Sequence, residues 1–431
     1  MLRSHVTFEI VKTALQQNET LVTDVPVVKQ PIGEAGVLAL LALLSAFIPL
    51  STDMYLPALP TMTATFHASE QLINLTLILF FVFYSAGTLL WGPLSDKYGR
   101  KPVLLCGLAL YVLASVSCAC ARDVNQLIVF RVLQALAGSA SPAIAVALVK
   151  DLFHGRKREH GLVIIQSMVM IAPIIAPVIG AMLLKFTVWR GIFWTLASFG
   201  AVALVWSFAL RETVVSRYEG TVLQTMGQLG TVLKNRGFTA LLIIFSLVIM
   251  PLYAYLAASS YVYIREFHQS ELAYSLYFGG NALSAVVAPW VFLHVSRQVH
   301  SRVIITACAV VIAISGISLC TLGRLYPWLF ACSVIPATMA MGIIRPPSTH
   351  LMLEQHHGAT GTASSLINCT MSLVGSIGML LMSCGWHSII IPLGLVHLIA
   401  GGGSAIAWLS ISRKPFIKQV PEVPPVEMAA E

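Results

Sequence analysis

Twelve stretches of about 20 apolar residues, parted by short polar clusters, constrain this chain more than any other feature. A helix rises about 1.5 Å per residue, so a run of that length just crosses the hydrocarbon core of a bilayer. It also satisfies its backbone N–H and C=O groups internally, as lipid requires. Cutting the sequence at its polar clusters predicts spans near 35–59, 72–94, 103–121, 124–147, 161–184, 191–210, 238–260, 272–295, 303–323, 326–352, 360–384 and 387–411. Composition points the same way, with 57% hydrophobic and 10% charged residues. Soluble domains carry about 25% charged residues, and a water-soluble fold of this length has too little interior to hide so much apolar surface. The expected fold class is an all-α membrane protein.

An even number of spans returns both ends to one side. Of the 26 Lys and Arg residues, 19 fall in the tails and loops on that side, five fall on the other, and Arg131 and Arg345 lie within spans. The positive-inside rule then makes both termini cytoplasmic. The longest internal connection, 211–237, divides the spans six and six. The expected organisation is a tail over 1–34, a six-helix bundle over 35–210, a cytoplasmic linker over 211–237, a second six-helix bundle over 238–412 and a tail over 413–431. Paired bundles of this kind commonly form a transporter with its site between them near the midplane. The formal charge of +8 comes from short clusters between apolar runs, which excludes a nucleic-acid stripe. The eight cysteines sit in or beside apolar runs, without metal-ligand or disulfide spacing, and read as small core residues. No secretory signal opens the chain, and no cofactor is implied.

Among the 18 acidic residues only Asp53 falls well inside a span. A carboxylate is costly to ionise there, which suits it to bind and release a proton. Taking Pro60 as the end of the first span, Asp53 lies about 10 Å in, and Arg131 lies about 12 Å in from Asp123, so the two charges share a level. Arg131 is thus the expected partner of Asp53, the rival being an arginine that snorkels without one.

Gly92-Pro93-Leu94-Ser95-Asp96-Lys97-Tyr98-Gly99-Arg100-Lys101-Pro102 falls in the connection after the second span. With its glycines, one acid and three cations, it resembles the signature of the major facilitator superfamily at the same place. Gly92 and Gly99 suit a sharp turn, and Asp96 and Arg100 a cytoplasmic gate. Asp96 is suited to face a helix N-terminus, and the expected neighbour is the start of the eleventh span, Gly358 to Ser365. The other reading is that the cations only set topology.

The string Asp53-Met54-Tyr55-Leu56-Pro57-Ala58-Leu59-Pro60 narrows the resemblance to the Bcr/CflA group of drug:proton antiporters. Agreement continues through Arg131, whose R-x-x-Q context keeps Gln134, and through 172–180 and 361–366. The fifth span resembles the superfamily's antiporter motif, with Pro177 and Gly180 retained, Pro173 at one of its variable positions, and Ala172, Ala176 and Ala181 where glycines are usual. Prolines there free backbone groups and small residues allow close packing, which is also what ordinary helix packing would ask for. Arg345, before Pro346-Pro347, matches no such motif, and a snorkelling role stands beside an anion-binding or gating one. Tyr55, Tyr84, Met168, Met170, Tyr253 and Tyr255 are candidate substrate contacts, since aromatic and thioether surfaces adapt to varied lipophilic guests.

The resemblance implies a bacterial inner-membrane exporter that trades small amphiphilic drugs or metabolites for protons by alternating access. The expected partners are a small-molecule substrate, a proton and the lipid bilayer, with no nucleic acid, and the expected state is a monomer. Phenicols, bicyclomycin and sulfonamides are the cargoes it suggests; a dedicated exporter of a sugar, purine or siderophore-like metabolite is the alternative. A membrane-embedded enzyme is the remote one, since the spans hold a single Asp and no H-E-x-x-H, and His350, His356 and His357 cluster at a helix end.

Overall fold

The computed structural model describes residues 30–214, 229–355 and 360–418; the expected tails, apart from their inner ends, and the middle of the 211–237 connection lie outside the described residues. Every regular element among the described residues is a helix, and twelve are long and apolar enough to cross a bilayer. In chain order they are α1 (Gly33–Phe66), α2 (Glu70–Tyr98), α3 (Arg100–Cys120), α4 (Val124–Leu152), α5 (Gly155–Phe186), α6 (Arg190–Phe208), α7 (Arg236–Glu266), α8 (Glu271–Val295), α9 (Ser301–Thr321), α10 (Pro327–Glu354), α11 (Thr360–Met382) and α12 (Ile390–Ile411). Several begin where the sequence supplies a side-chain acceptor for an orphan N–H: Ser69, Asp123, Asn235 and Ser270 cap α2, α4, α7 and α8.

Helix pairing repeats with a shift of six. In the first half α1 packs on α5, α2 on α4, and α3 on both α4 and α6; in the second α7 packs on α11, α8 on α10, and α9 on both α10 and α12. Two six-helix bundles result. They meet chiefly along α2 with α11 and along α5 with α8. Large apolar side chains such as Val205, Trp290, Ile399 and Ile406 point outward, as a lipid-facing surface requires.

Successive spans alternate direction, so Gln30 and Lys418 lie at one face, the termini face, and the α1–α2 turn lies at the far face. At the far face the bundles are bonded to each other. Arg265 of α7 contacts Glu70 and Thr63, Asn74 Nδ2 donates to Ser383 Oγ at 3.0 Å, and Ser275 Oγ donates to the Pro177 carbonyl at 2.9 Å.

Two boundaries differ from expectation in ways that matter for the site. The first span does not end at Pro60: helical segments Gly33–Ser45 and Phe47–Asp53 give way to a 3-10 turn at Leu56–Ala58, and the chain resumes as Leu59–Phe66. Pro57 and Pro60 fall at the starts of these last two pieces, where a missing N–H costs nothing, so they restart the helix. Asp53 is therefore thirteen residues from the far end of its span, or up to about 20 Å of rise. The second difference is that α2 continues to Tyr98, so most of the expected turn at 92–102 is helix and Gly99 alone, at φ 106°, makes the corner into α3.

Candidate functional site

The break in α1 builds the centre of the first bundle. Beyond Asp53 the Tyr55 N–H bonds back to the Thr52 carbonyl at 3.2 Å, in place of the regular partner at Ser51. The released Ser51 carbonyl accepts from Arg131 Nη1 at 3.0 Å. The same Nη1 donates to Gln134 Oε1 at 2.7 Å, and Gln134 Nε2 passes the chain on to Ser115 Oγ at 2.8 Å. Arg131 is fully buried, and its guanidinium carbon sits 4.2 Å from the Phe80 ring centre and 4.9 Å from that of Tyr55. A desolvated cation is costly unless its field is met; here two carbonyl oxygens meet it at Nη1, while buried Nε and Nη2 have no hydrogen-bond partner among the described residues and aromatic faces meet the rest of the charge.

Asp53 is 5% exposed and accepts from Thr52 Oγ1 at 2.9 Å. The expected ion pair with Arg131 does not form: none of the ion pairs among the described residues joins them. Helix geometry explains why. Ser51 Oγ shares a 2.6 Å hydrogen bond with Tyr111 of α3, so that face of α1 looks into the first bundle. Asp53, two residues on, lies about 200° around the axis and looks toward the second. The 3-10 turn that follows it packs on both α7 and α8. Arg131 thus grips the backbone that carries Asp53 and leaves the carboxyl to the interface.

Helix α5 holds the same break from the other side. A Cβ on Gly180 would run into the backbone carbonyl of Met54, the residue after Asp53. Pro177 offers its carbonyl to Ser275 of α8, and Gly279 of α8 approaches the Ile174 backbone so closely that a Cβ there would be 3.3 Å from its carbonyl oxygen. The motif residues Pro173, Pro177 and Gly180 therefore lie on the helix that joins the Asp53 break to the second bundle.

The candidate substrate residues divide. Tyr84 and Tyr253 are half-buried at the meeting of the bundles, where the Phe81 and Tyr253 rings lie 5.0 Å apart edge to face and Tyr253 Oη shares a 3.1 Å hydrogen bond with Ser372. Met168 and Met170 are half-buried on α5. Tyr55 and Tyr255 face no open space. Tyr55 is sealed against Arg131 and Phe193 with its hydroxyl on Thr76 at 2.9 Å, and Tyr255 stacks between Phe278 and Phe330. Both are packing residues in this conformation, because their bulk fills a close-packed helix junction.

At the termini face Arg100 is the hub. It pairs with Asp96 at 2.5 Å and Asp151 at 3.0 Å, and Nη1 also donates to Ser95 Oγ at 2.6 Å. Glu212, just after α6, accepts from the backbone N–H groups of Arg100 and Lys101 at 2.9 and 3.1 Å and thereby caps α3. A Cβ on Gly99 would meet that same carboxylate at 2.5 Å. Gly92, within α2, has open space around its Cβ position, so it is not needed for a turn or a close approach. Of the expected neighbours of Asp96 at the start of α11, Gly358 to Ser365, the backbone of 358–359 and the side chains of 358–361 lie outside the described residues, as do His356 and His357. Asp151 and Glu212 escaped the sequence reading. The signal available was an acid at the termini-face end of α4 and of α6, each beside a cation, Lys150 and Arg211.

The sequence pattern of the Major Facilitator Superfamily matches residues 41–379. The chloramphenicol resistance protein of Pseudomonas aeruginosa is 30% identical over 388 residues, covering 85% of this chain and 90% of that one. The Bacillus subtilis MFS-type transporter YdgK is 27% identical over 400 residues, covering 90% and 98%. The multidrug resistance protein MdtL of Klebsiella pneumoniae is 25% identical over 358 residues, covering 82% and 88%. Among solved structures, a D-xylose-proton symporter superposes with a TM-score of 0.69 at 13% identity over 90% of this chain and 98% of its own. A bacterial homologue of the human lysosomal transporter Spinster, inward-facing and occupied, gives 0.70 at 14% identity over the same shares.

Proposed function

The chain belongs to the Major Facilitator Superfamily and is a multi-pass membrane transporter, not an enzyme; from that premise we propose that it exports small amphiphilic compounds, drugs among them, in exchange for protons. The observation that carries the reading is Asp53, the one buried acid among the described residues. It sits on a helix break at the bundle interface, and its carboxyl is left free of an ion pair. One acid then serves both ligands: protonated from the outside it gives up cargo, and deprotonated toward the inside it accepts it. Arg131 fixes the backbone on which the acid rides. The names of the relatives support drug efflux, and the half-buried Tyr84 and Tyr253 beside buried Phe81 suit an amphiphilic guest.

In this reading the termini face is cytoplasmic, the far face is periplasmic, and residues 211–237 link two rocking bundles in a bacterial inner membrane. The protein works as a monomer. The test is Asp53→Asn in proteoliposomes with an imposed pH gradient and labelled chloramphenicol. Wild type accumulates the compound against its gradient, and the variant, folded to the same thermal midpoint, only equilibrates it. Uphill accumulation by Asp53→Asn would overturn the proposal.

A further inference from the structure

Arg345 is the second arginine inside the spans, and the sequence offered it no partner. It lies eighteen residues into α10 and nine before its end. Unlike Arg131, it is exposed, and it enters none of the ion pairs among the described residues. The lipid-facing side of α10 is marked by exposed Trp328, Cys332 and Pro336. At 100° per residue Arg345 is turned between about 100° and 180° away from each of them. It is therefore turned away from the lipid surface rather than snorkelling along it, which leaves the side of α10 toward the first bundle for its exposed guanidinium.

Helix α10 packs on α7, the helix that carries Tyr253. Tyr253 in turn bonds Ser372 and meets Phe81 across the interface. Ile344 before Arg345 and Pro347 two residues after it are buried, so the backbone that presents the charge is held by packing. The second bundle thus carries a cation and the first an acid, and the Phe81 and Tyr253 rings meet at the seam of the two bundles.

We propose that Arg345 receives a carboxylate of the cargo, so that the transported compounds include amphiphilic organic acids, with their apolar bodies against Phe81, Tyr84 and Tyr253. A guanidinium presents parallel N–H donors that match a carboxylate, and the shielded space between the bundles strengthens the contact. Binding at Arg345 leaves Asp53, on the facing bundle, to the proton or to a donor at the cargo's other end. The inference rests on the export reading above and names its substrate class.

The experiment titrates purified wild type, Arg345→Gln and Arg345→Lys in a non-ionic detergent, which supplies no competing anionic headgroup. The probes are dansylglycine and its uncharged amide, dansylglycinamide, followed by fluorescence. Wild type should bind the carboxylate about tenfold more tightly than the amide, the effect of one charge-assisted hydrogen bond. Arg345→Gln should lose that preference by weakening the carboxylate alone, and Arg345→Lys should keep part of it. An unchanged preference in Arg345→Gln, or no preference in wild type, would overturn the inference. If proton-driven export is intact while Arg345→Gln still discriminates, only this site falls. If discrimination depends on Arg345 but no proton gradient drives export, the export reading falls and the site stands.

Discussion

Arg131 Nη1 donates to the Ser51 carbonyl across 3.0 Å, and that carbonyl is available because the Tyr55 N–H has turned back to Thr52. A buried arginine and a helix break therefore require each other. Without the break the carbonyl would be spent in the helix ladder, and without Arg131 it would be a buried acceptor with no donor.

Replacing Arg131 by Lys keeps the charge but loses the planar group that reaches Gln134 and Ser51 together beneath the Phe80 ring. Arg131→Lys should lose about 1.5–3 kcal/mol of stability, the range for hydrogen bonds to charged groups, and should not restore transport. Thermal unfolding of the purified protein and uptake into proteoliposomes measure the two effects. Wild-type values for both would remove Arg131 from the architecture of the site.

Gly180 tests whether the antiporter-motif helix acts through Asp53. A Cβ there strikes the Met54 backbone, so Gly180→Ala should push the break away from α5, costing about 1–3 kcal/mol and most of the transport. Gly92→Ala is the control, because nothing lies within 4 Å of its Cβ position, and it should unfold and transport as wild type does. Equal behaviour of the two variants would mean that the close approach at Met54 has no functional weight.

Glu212 caps α3 with two backbone hydrogen bonds, and Asp151 shares Arg100 with Asp96. Glu212→Gln should lose about 0.5–2 kcal/mol, the usual worth of an N-terminal cap. Combined with Arg100→Gln, its cost should fall short of the sum of the single substitutions, since both act on the same corner. Chemical denaturation of the four proteins supplies the cycle. Strict additivity would show that Glu212 does not belong to the Arg100 cluster.

Much of this was legible in the sequence because lipid imposes a one-dimensional rule. Apolar length alone placed the twelve spans, and the family motifs picked out Asp53, Arg131 and Gly180 on their helices, whereas Arg100 was read into a connection and in fact opens α3. What escaped was three-dimensional. Pro57 and Pro60 read as an ending because proline usually stops a helix, whereas here they restart one. Equal depth suggested that Asp53 and Arg131 pair, but depth says nothing of azimuth, and 200° of helix rotation separates the two faces involved. Tyr55 shares the Asp53 segment yet turns into the bundle to bond Thr76. Asp151 and Glu212 meet Arg100 from distant helices, which no local pattern records.

The far face provides the last prediction, because alternating access requires the contacts there to break. The Arg265 and Glu70 side chains are 41% and 36% exposed, so their ion pair is worth at most about 1 kcal/mol, and its loss alone should change little. The buried bond between Asn74 Nδ2 and Ser383 Oγ is a better handle, since it ties α2 to α11, one of the two main seams between the bundles. In a background with the eight native cysteines replaced by serine, Asn74→Cys with Ser383→Cys should be joined by a short thiol crosslinker. Joined, the bundles cannot part at this face, so transport should stop, while either single variant treated with the same reagent keeps working. Binding of a fluorescent probe from the termini face should survive the crosslink, because that side is free to move. Continued transport by the fully crosslinked protein would mean that the α2–α11 seam stays closed throughout the cycle and that the bundles do not rock about the Asp53 break.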